Sequence, residues 1–428
     1  MKKIAIIGLG YVGLPLARLF ATKFPVVGFD IDEDRVLSLN KGIDTTLEVA
    51  STYLSEVLVS VNPFTKDTEK GLFCTTDLAE IAEANVYIVT VPTPVDKNNR
   101  AVLKPLISAS ETVGKVLKPN DIVIYESTVY PGVTEDECVP VLERTSGLKF
   151  NVDFFVGYSP ERINPGDKNH TVDKILKVTS GSTPEIGVVV DNLYKSIITA
   201  GTHLAPTIKV AEAAKVIENA QRDINIAFIN ELAKIFSLMN IDTHHVLEAA
   251  GTKWNFLNFK PGLVGGHCIG VDPFYLAQKA QEIGYHSELI LTARRLNDSM
   301  GDFVVSQVIK LLIDRNIKVN GAKVLVLGIT FKENCPDVRN TKAVDIVNGF
   351  VNYNMQVDVV DPWALVDEVQ EEYNIKCVNK VSDNTAYDAV VLTVAHREFV
   401  DINWSMYLKP NGIIYDVKGV LKNAHKRL

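Results

Sequence analysis

The chain reads as an α/β protein: two Rossmann-like, doubly wound domains joined by a long central helix and a helical middle domain. Three observations predict this. Short β-branched runs alternate with helical patterns at both ends of the sequence. Each end opens with a strand that stops at a glycine and has a second strand that stops at an aspartate, Asp30 and Asp361. More than thirty residues from Thr207 contain neither Gly nor Pro.

The elements follow in order. KIAIIG, VVGFD, VYIVTVP, IVIYEST and DFFVGYSPE are apolar runs with few polar breaks, as expected of parallel strands covered on both faces. The segments between them are long enough for crossover helices. From Thr207, apolar residues recur at helical spacing through Ile208, Ala211, Ala214 and Ile217, and again at Ile226, Ile229 and Leu232. A helix of that length spans on the order of 50 Å at about 1.5 Å per residue. It outreaches one core, so it is expected to bridge domains and to form a dimer face. The strand texture returns in AKVLVLGI, VDVVDP, AVVLTVAH and GIIYDVKG. The expected domains are residues 1–200, 201–316 and 317–428.

A chain of 428 residues suffices for two or three domains with real cores, and 46% hydrophobic against 22% charged residues is the balance of a globular protein. A net charge of −8 argues against nucleic acid or an anionic membrane as the main partner. The five cysteines are odd in number and irregularly spaced, which suggests neither a disulfide framework nor a metal site and fits a reduced, cytoplasmic protein. The apolar run after Lys3 is too short for a signal peptide, and no stretch is apolar enough to span a membrane.

Gly8-x-Gly10-x-x-Gly13, with Tyr11 and Val12 between, follows one strand and opens a helix. Glycines there permit a tight turn and let backbone approach a pyrophosphate at the helix N-terminus. Asp30 ends the next strand, where a carboxylate binds ribose hydroxyls and repels a 2′-phosphate, favouring NAD over NADP. Arg35, one helical turn on, either contacts the adenosine end or is an ordinary surface cation. At the second strand end Gly328 lacks the glycine pattern, so no second NAD site is expected; Lys332 and Arg339 follow it and could clamp phosphates. In residues 261–273 glycines flank Cys268, with Asp272 four residues on. A lone cysteine is more often a buried small hydrophobe than a nucleophile.

Seven segments carry a resemblance: GLGYVGLPLA; VPTP at 91–94; EST at 126–128; SPERINPG at 159–166; Lys215-x-x-x-Asn219; GGHCIGVDP at 265–273; and FKENCPDVRNT at 331–341. In this order, across nearly the whole chain, they resemble the UDP-glucose/GDP-mannose dehydrogenase family. The resemblance implies two Rossmann-like domains around a long central helix, a dimer or larger homo-oligomer, and NAD as cofactor. It implies that Cys268 is the nucleophile and that Lys215 and Asn219 stabilise an oxyanion. Asp272, Glu161 and Thr128 then serve hydrolysis and order its water. Pro92, Thr93, Ser127, Thr128 and Arg339 are placed at the cofactor. Glu161, Arg162, Lys215, Asn219, Phe331, Lys332 and the loop from Phe259 through Gly262 to Gly265 are placed at the substrate.

The implied chemistry explains these residue types. Residues i and i+4 of one helix share a face, so Lys215 and Asn219 can point donors at one developing oxyanion. A thiolate can trap the aldehyde from a first oxidation as a thiohemiacetal, and a second hydride transfer gives a thioester that water releases as the acid. A nearby lysine favours the thiolate. Asp272 through water, or Lys215, is a candidate for the first proton. His267 adjoins Cys268, but adjacent side chains usually diverge.

GGHCIGVDP has His267 before the cysteine and Gly270-Val271 before Asp272. The glucose-oxidising branch typically has Ser, and Pro-Lys, there. That branch also has an arginine ahead of its glycine loop, where AAGTKWNFLNFKPG has none. The sequence looks more like the UDP-N-acetylhexosamine 6-dehydrogenases, which supply surface polysaccharides, with UDP-GlcNAc and/or UDP-GalNAc as substrate. UDP-glucose and UDP-ManNAc are the alternatives. Rival classes are a one-step β-hydroxyacid or 6-phosphogluconate-type dehydrogenase, which needs no nucleophilic cysteine, and an NAD-binding regulatory protein without turnover.

Overall fold

The computed structural model describes residues 2–65, 70–96, 100–163, 171–266, 269–382 and 385–428. The chain forms two compact units, Met1–Glu218 with Phe274–Ile283, and Asn219–Pro273 with Gly284–Leu428. The middle stretch, expected as a third domain over 201–316, is thus shared between the two.

The first unit is built on β1 (Ile4–Ile7), β2 (Pro25–Phe29), β3 (Gly71–Thr75), β4 (Val86–Val89), β5 (Ile122–Tyr125), β6 (Phe155–Tyr158), β7 (Lys177–Gly181) and β8 (Thr202–Leu204). Their spatial order is β3-β2-β1-β4-β5-β6-β7-β8. All neighbours are parallel except β6 and β7, which pair Gly157 with Gly181 and Tyr158 with Ser180. β1, β2, β4 and β5 are buried at every position, which is why their sequences are continuous runs without charged residues rather than alternating ones. The helices on the faces carry ordinary start and stop signals. Thr183 caps Pro184–Lys195 by accepting from Ile186 N–H, and Gly147, at φ 73°, ends Val139–Ser146. Strand order reverses at β1 and β4, so a crevice opens at their carboxyl ends.

The second unit carries a parallel sheet of β9 (Lys323–Leu327), β10 (Gln356–Val360), β11 (Cys377–Val378), β12 (Tyr387–Leu392), β13 (Leu408–Asp416) and β14 (Lys426–Arg427), in the order β11-β10-β9-β12-β13-β14. Its switch point lies between β9 and β12, and β12 is buried throughout. The run without Gly or Pro is one helix, Ile208–Leu238, of 31 residues, about 46 Å long at ~1.5 Å per residue. Beyond it Asn240 turns left-handed at φ 56°, and Asp242 caps the next helix, Thr243–Ala250, by accepting from His245 N–H. Among the described residues no helix is long and apolar enough to cross a membrane.

Candidate active site

The three glycines of the first loop meet three different demands. Gly8 sits at φ 96°, a conformation that costs a side chain dearly. A Cβ on Gly13 would lie 1.8 Å from Gly8 O and 2.4 Å from Thr90 Oγ1, so the helix packs on the strand end only because Gly13 has none. Around Gly10 there is nothing within 4 Å of a Cβ: space stands open above the backbone. The helix that follows, Gly13–Ala21, has no side-chain cap and no acid in its first turn, leaving N–H donors and the positive helix end toward that space. Tyr11 and Val12 complete this turn. Thr90, at the end of β4, donates to Gly8 O at 2.7 Å and closes the loop from the other side.

Asp30 follows β2 and takes Leu9 N–H at 2.7 Å and Asp32 N–H at 3.0 Å, which aims its carboxylate at the loop. Arg35 is buried rather than on the surface. Its five N–H groups go to Leu9 O, twice, and to Asp44, Thr45 and Thr46. It therefore braces the glycine loop from beneath, and its guanidinium is turned into the protein. The loops after β4 and β5 are stitched together. Thr93 donates to Thr128 O at 2.6 Å, Ser127 to Val91 O at 2.6 Å, and Tyr275 to Thr93 O. Pro92 stands between the two stitched positions. An open cradle, a glycine pair that brings backbone to its rim and a strand-end aspartate suit the pyrophosphate and ribose of NAD.

Glu161 follows β6 in the same unit. Its Oε1 accepts Arg162 N–H at 2.5 Å and Ile163 N–H at 2.6 Å, and its Oε2 accepts Lys177 Nζ at 3.0 Å. Arg162 itself is engaged by Glu218 and by Leu176 O, so it fastens this segment to the long helix. Lys215 and Asn219 lie one turn apart on that helix, both buried. Lys215 makes no ion pair among the described residues, a costly arrangement for a buried ammonium unless a ligand supplies the negative charge. Asn219 donates to Asp272 Oδ2 at 2.5 Å.

In the second unit the glycine loop is pinned rather than loose. Gly262 N–H donates to Asn230 Oδ1 at 2.8 Å and Asn230 Nδ2 returns a bond to Gly262 O at 3.0 Å. Asn340 does the same for Gly266, accepting its N–H at 3.0 Å and donating to its O at 2.9 Å. A Cβ on Gly265 would lie 2.5 Å from Asn340 O, and one on Gly266 would lie 2.7 Å from the Phe331 ring. The glycines therefore allow close backbone packing. Cys268 and His267, and residues 164–166 of the SPERINPG segment, lie outside the described residues. Phe259 lies upstream of the pinned part, in the same connection.

Phe331 and Lys332 follow β9. Phe331, with Gly265, Thr330, Glu333, Thr393 and Val394, lines a narrow crevice at the carboxyl ends of β9 and β12, the place for a ligand in an open α/β sheet. Arg339 forks onto Asp337, Nε at 3.0 Å and Nη2 at 2.7 Å, and remains half-exposed. Asp361, the counterpart of Asp30, differs from it. It is fully buried and accepts from Ile329, Thr330, Trp363 and Ala364 N–H. His396 completes the set. Its Nδ1 accepts Asn334 N–H, so in the neutral ring Nε2 bears the hydrogen and donates toward Asp361 at 3.0 Å. Asp361 is thus a strut and not a ribose ligand. A larger cavity in this unit, about 510 Å³ and lined by Ser237, Asp242, Lys426 and Arg427, holds none of the residues singled out by sequence. Two of its cations are engaged, Arg427 with Asp242 and Lys426 with Ser237 and Gln307.

Sequence reasoning missed Lys177, Asn230 and the roles of Asn340 and Asp337. Asn340 and Asp337 lie inside a recognised segment. Nothing local marks Lys177 or Asn230.

An open dinucleotide crevice on one sheet and a strand-end crevice on another define an NAD-dependent dehydrogenase with a separate domain for its substrate's nucleotide. Models of the UDP-glucose/GDP-mannose dehydrogenase family match the chain in three consecutive stretches: the NAD binding domain over 2–198, the central domain over 209–299 and the UDP binding domain over 325–423. The chain belongs to this family of nucleotide-sugar dehydrogenases. It is 59% identical over 422 residues to the UDP-N-acetyl-D-glucosamine 6-dehydrogenase of Pseudomonas aeruginosa, covering 98% of this chain and 97% of the relative. It is 54% identical to the enzyme of the same name from Salmonella typhi, at 98% and 96% coverage. The UDP-D-ManNAc dehydrogenase structure from Pyrococcus horikoshii superposes with a TM-score of 0.85 at 29% identity, covering 99% of this chain and 98% of that one.

Proposed function

We propose that the chain oxidises the C6 alcohol of UDP-N-acetylglucosamine, and/or UDP-N-acetylgalactosamine, to the uronic acid through a thiohemiacetal and a thioester on Cys268. The observation that carries this reading is Lys215. It is a buried lysine without an ion pair among the described residues, one helical turn from a buried Asn219 that is itself oriented by Asp272. Such a pair of donors suits an oxygen that gains negative charge in the transition state. Bound NAD supplies the hydride acceptor for each of two oxidations. Gly8, Gly10 and Gly13 hold its pyrophosphate, Asp30 its ribose, and Arg35 keeps that loop in shape. Arg339 adds a cation for phosphate, while Phe331 and Lys332 hold the UDP half of the substrate.

Cys268 is the thiol for the covalent step. The other four cysteines are buried, and burial pushes the thiols of Cys74, Cys138 and Cys377 up to about 12, far from thiolates at neutral pH. In the last step, Glu161, Thr128 and Asp272 orient water at the thioester. The amino-sugar preference is supported by the two relatives named above and by His267 and Gly270-Val271 in the cysteine loop. The product would feed surface polysaccharide synthesis. Homodimerisation through the long helix is supported by Ile217, Phe228, Ile235 and Leu238, which are large apolar residues left exposed along it.

The test is NADH yield per UDP-GlcNAc, with UDP-GalNAc, UDP-ManNAc and UDP-glucose in parallel, for the native chain and Cys268→Ser. Two NADH per amino sugar, with turnover stalled in the variant, is expected. Two NADH from another sugar alone would overturn the substrate assignment. One NADH, or none, would overturn the chemistry.

A further inference from the structure

Behind Glu161, inside the first unit, stands a buried charge cluster that the scheme above leaves unused. Lys177 opens β7 and is 2% exposed; its Nζ lies 2.7 Å from Glu126 Oε2 and 3.0 Å from Glu161 Oε2. Tyr194, from the helix Pro184–Lys195, donates to the other oxygen of Glu126. Glu126 and Tyr194 are 1% and 0% exposed, whereas Glu161 is 9% exposed and forms the open edge of the group. The cluster therefore has a sealed end and an open end, with the ammonium between two carboxylates.

We infer that Lys177 is a positioning residue for hydrolysis: it fixes Glu161 from behind, while Glu126 and Tyr194 hold the ammonium in place. This rests on the function proposed above. In that step the water oxygen bonds to the thioester carbonyl carbon, the C–S bond breaks, sulfur leaves as the Cys268 thiolate and the water's proton passes to Glu161. No electron changes hands. For Glu161 to take that proton, its free lone pairs must face the water. Two backbone N–H groups and one ammonium set that direction, and of the three only the ammonium is supplied by a side chain. Here the second carboxylate belongs to Glu161, the residue assigned above to the hydrolytic water. Burial raises Glu126 to about 7, with Lys177 opposing and Glu161 adding to the rise, so the sealed end tolerates a proton while the lysine serves the open end.

The experiment compares Lys177→Met, Lys177→Arg and Glu161→Gln with the native chain in rapid-mixing assays with UDP-GlcNAc and NAD. Intact-mass spectrometry of quenched samples runs alongside. The NADH burst counts folded sites, so lost protein cannot mimic a slowed step. Expected for Lys177→Met is a burst of two NADH per site and a steady state at least tenfold slower. Its kcat/KM for UDP-GlcNAc should stay near native, with KM falling alongside kcat because only a step after thioester formation is slowed, and a sugar-acyl adduct should accumulate on the chain. Lys177→Arg, which keeps the cation, should recover much of the steady-state rate. If Lys177→Met does not fold, Lys177→Gln serves the same measurement. A folded uncharged variant that turns over at the native rate per burst site, or slows burst and steady state together, would overturn the inference. If Glu161→Gln traps the adduct and Lys177→Met does not, only this inference fails; if no variant traps an adduct, the parent reading fails.

Discussion

Gly10 and Gly13 are three residues apart in one loop and should respond oppositely to the same added methyl group. Gly13→Ala places a Cβ 1.8 Å from Gly8 O, a clash that rotamer changes cannot relieve, so the expected outcome is a large fall in melting temperature. Gly10→Ala meets open space in the protein and should leave the melting temperature unchanged. Its methyl would occupy the cofactor's approach, and NAD affinity should weaken at least tenfold, about 1.4 kcal/mol. Titration of NAD against intrinsic fluorescence, with a thermal melt of each variant, checks both. Native affinity in Gly10→Ala would remove the loop from the cofactor site. At this scale the sequence was informative where a residue's neighbours in the chain share its task. The glycine loop, Asp30 and the Lys215–Asn219 pair are local patterns. Lys177 escaped because its partners lie 51 and 16 residues away, and a lysine opening a strand looks like any edge cation. For Arg35 the structure excludes the surface-cation reading: it is a buried brace under the loop.

Among the elements, strands and the long helix were legible because burial on both faces, or helical spacing without breakers, is written in consecutive residues. β7 and β8 were not foreseen. KVTSG and THL are short and polar, and the antiparallel return at β6–β7 depends on a partner strand instead of on their own pattern. The cysteine loop is rich in glycine, yet Asn230 from the long helix and Asn340 after β9 each bond it twice. Asn230→Ala should cost about 1–3 kcal/mol, the usual consequence of leaving buried partners unsatisfied. It should also lower kcat by more than it changes the KM for NAD, because the loop carries the proposed nucleophile while the dinucleotide crevice is formed by other elements. A stopped-flow and thermal-melt comparison tests this. A stable variant with native kcat would show that the loop's conformation is set elsewhere.

For the whole molecule, the two-sheet plan was legible from the repeated strand-Gly, strand-Asp texture. The middle stretch contributes to both compact units, a division that contacts far apart in sequence decide. The exposed Phe228 and Ile235 give assembly a direct test. Sedimentation velocity of the native chain at micromolar concentration should show a dimer, and Phe228→Glu with Ile235→Glu should yield monomer. A monomeric native chain would exclude this helix as a dimer face.

Asp361 bears on the tempo of turnover. Among the described residues one strand-end aspartate is open to a ligand and the other is sealed by four backbone donors and His396, so the two sheets do not make two equivalent cofactor berths. The reaction proposed above, which removes two hydrides, must then discharge one reduced cofactor and admit an oxidised one midway. The half-processed sugar has to outlast that exchange. A covalent tether has a lifetime set by chemistry and not by diffusion, and this is the property such an interrupted cycle demands of its intermediate.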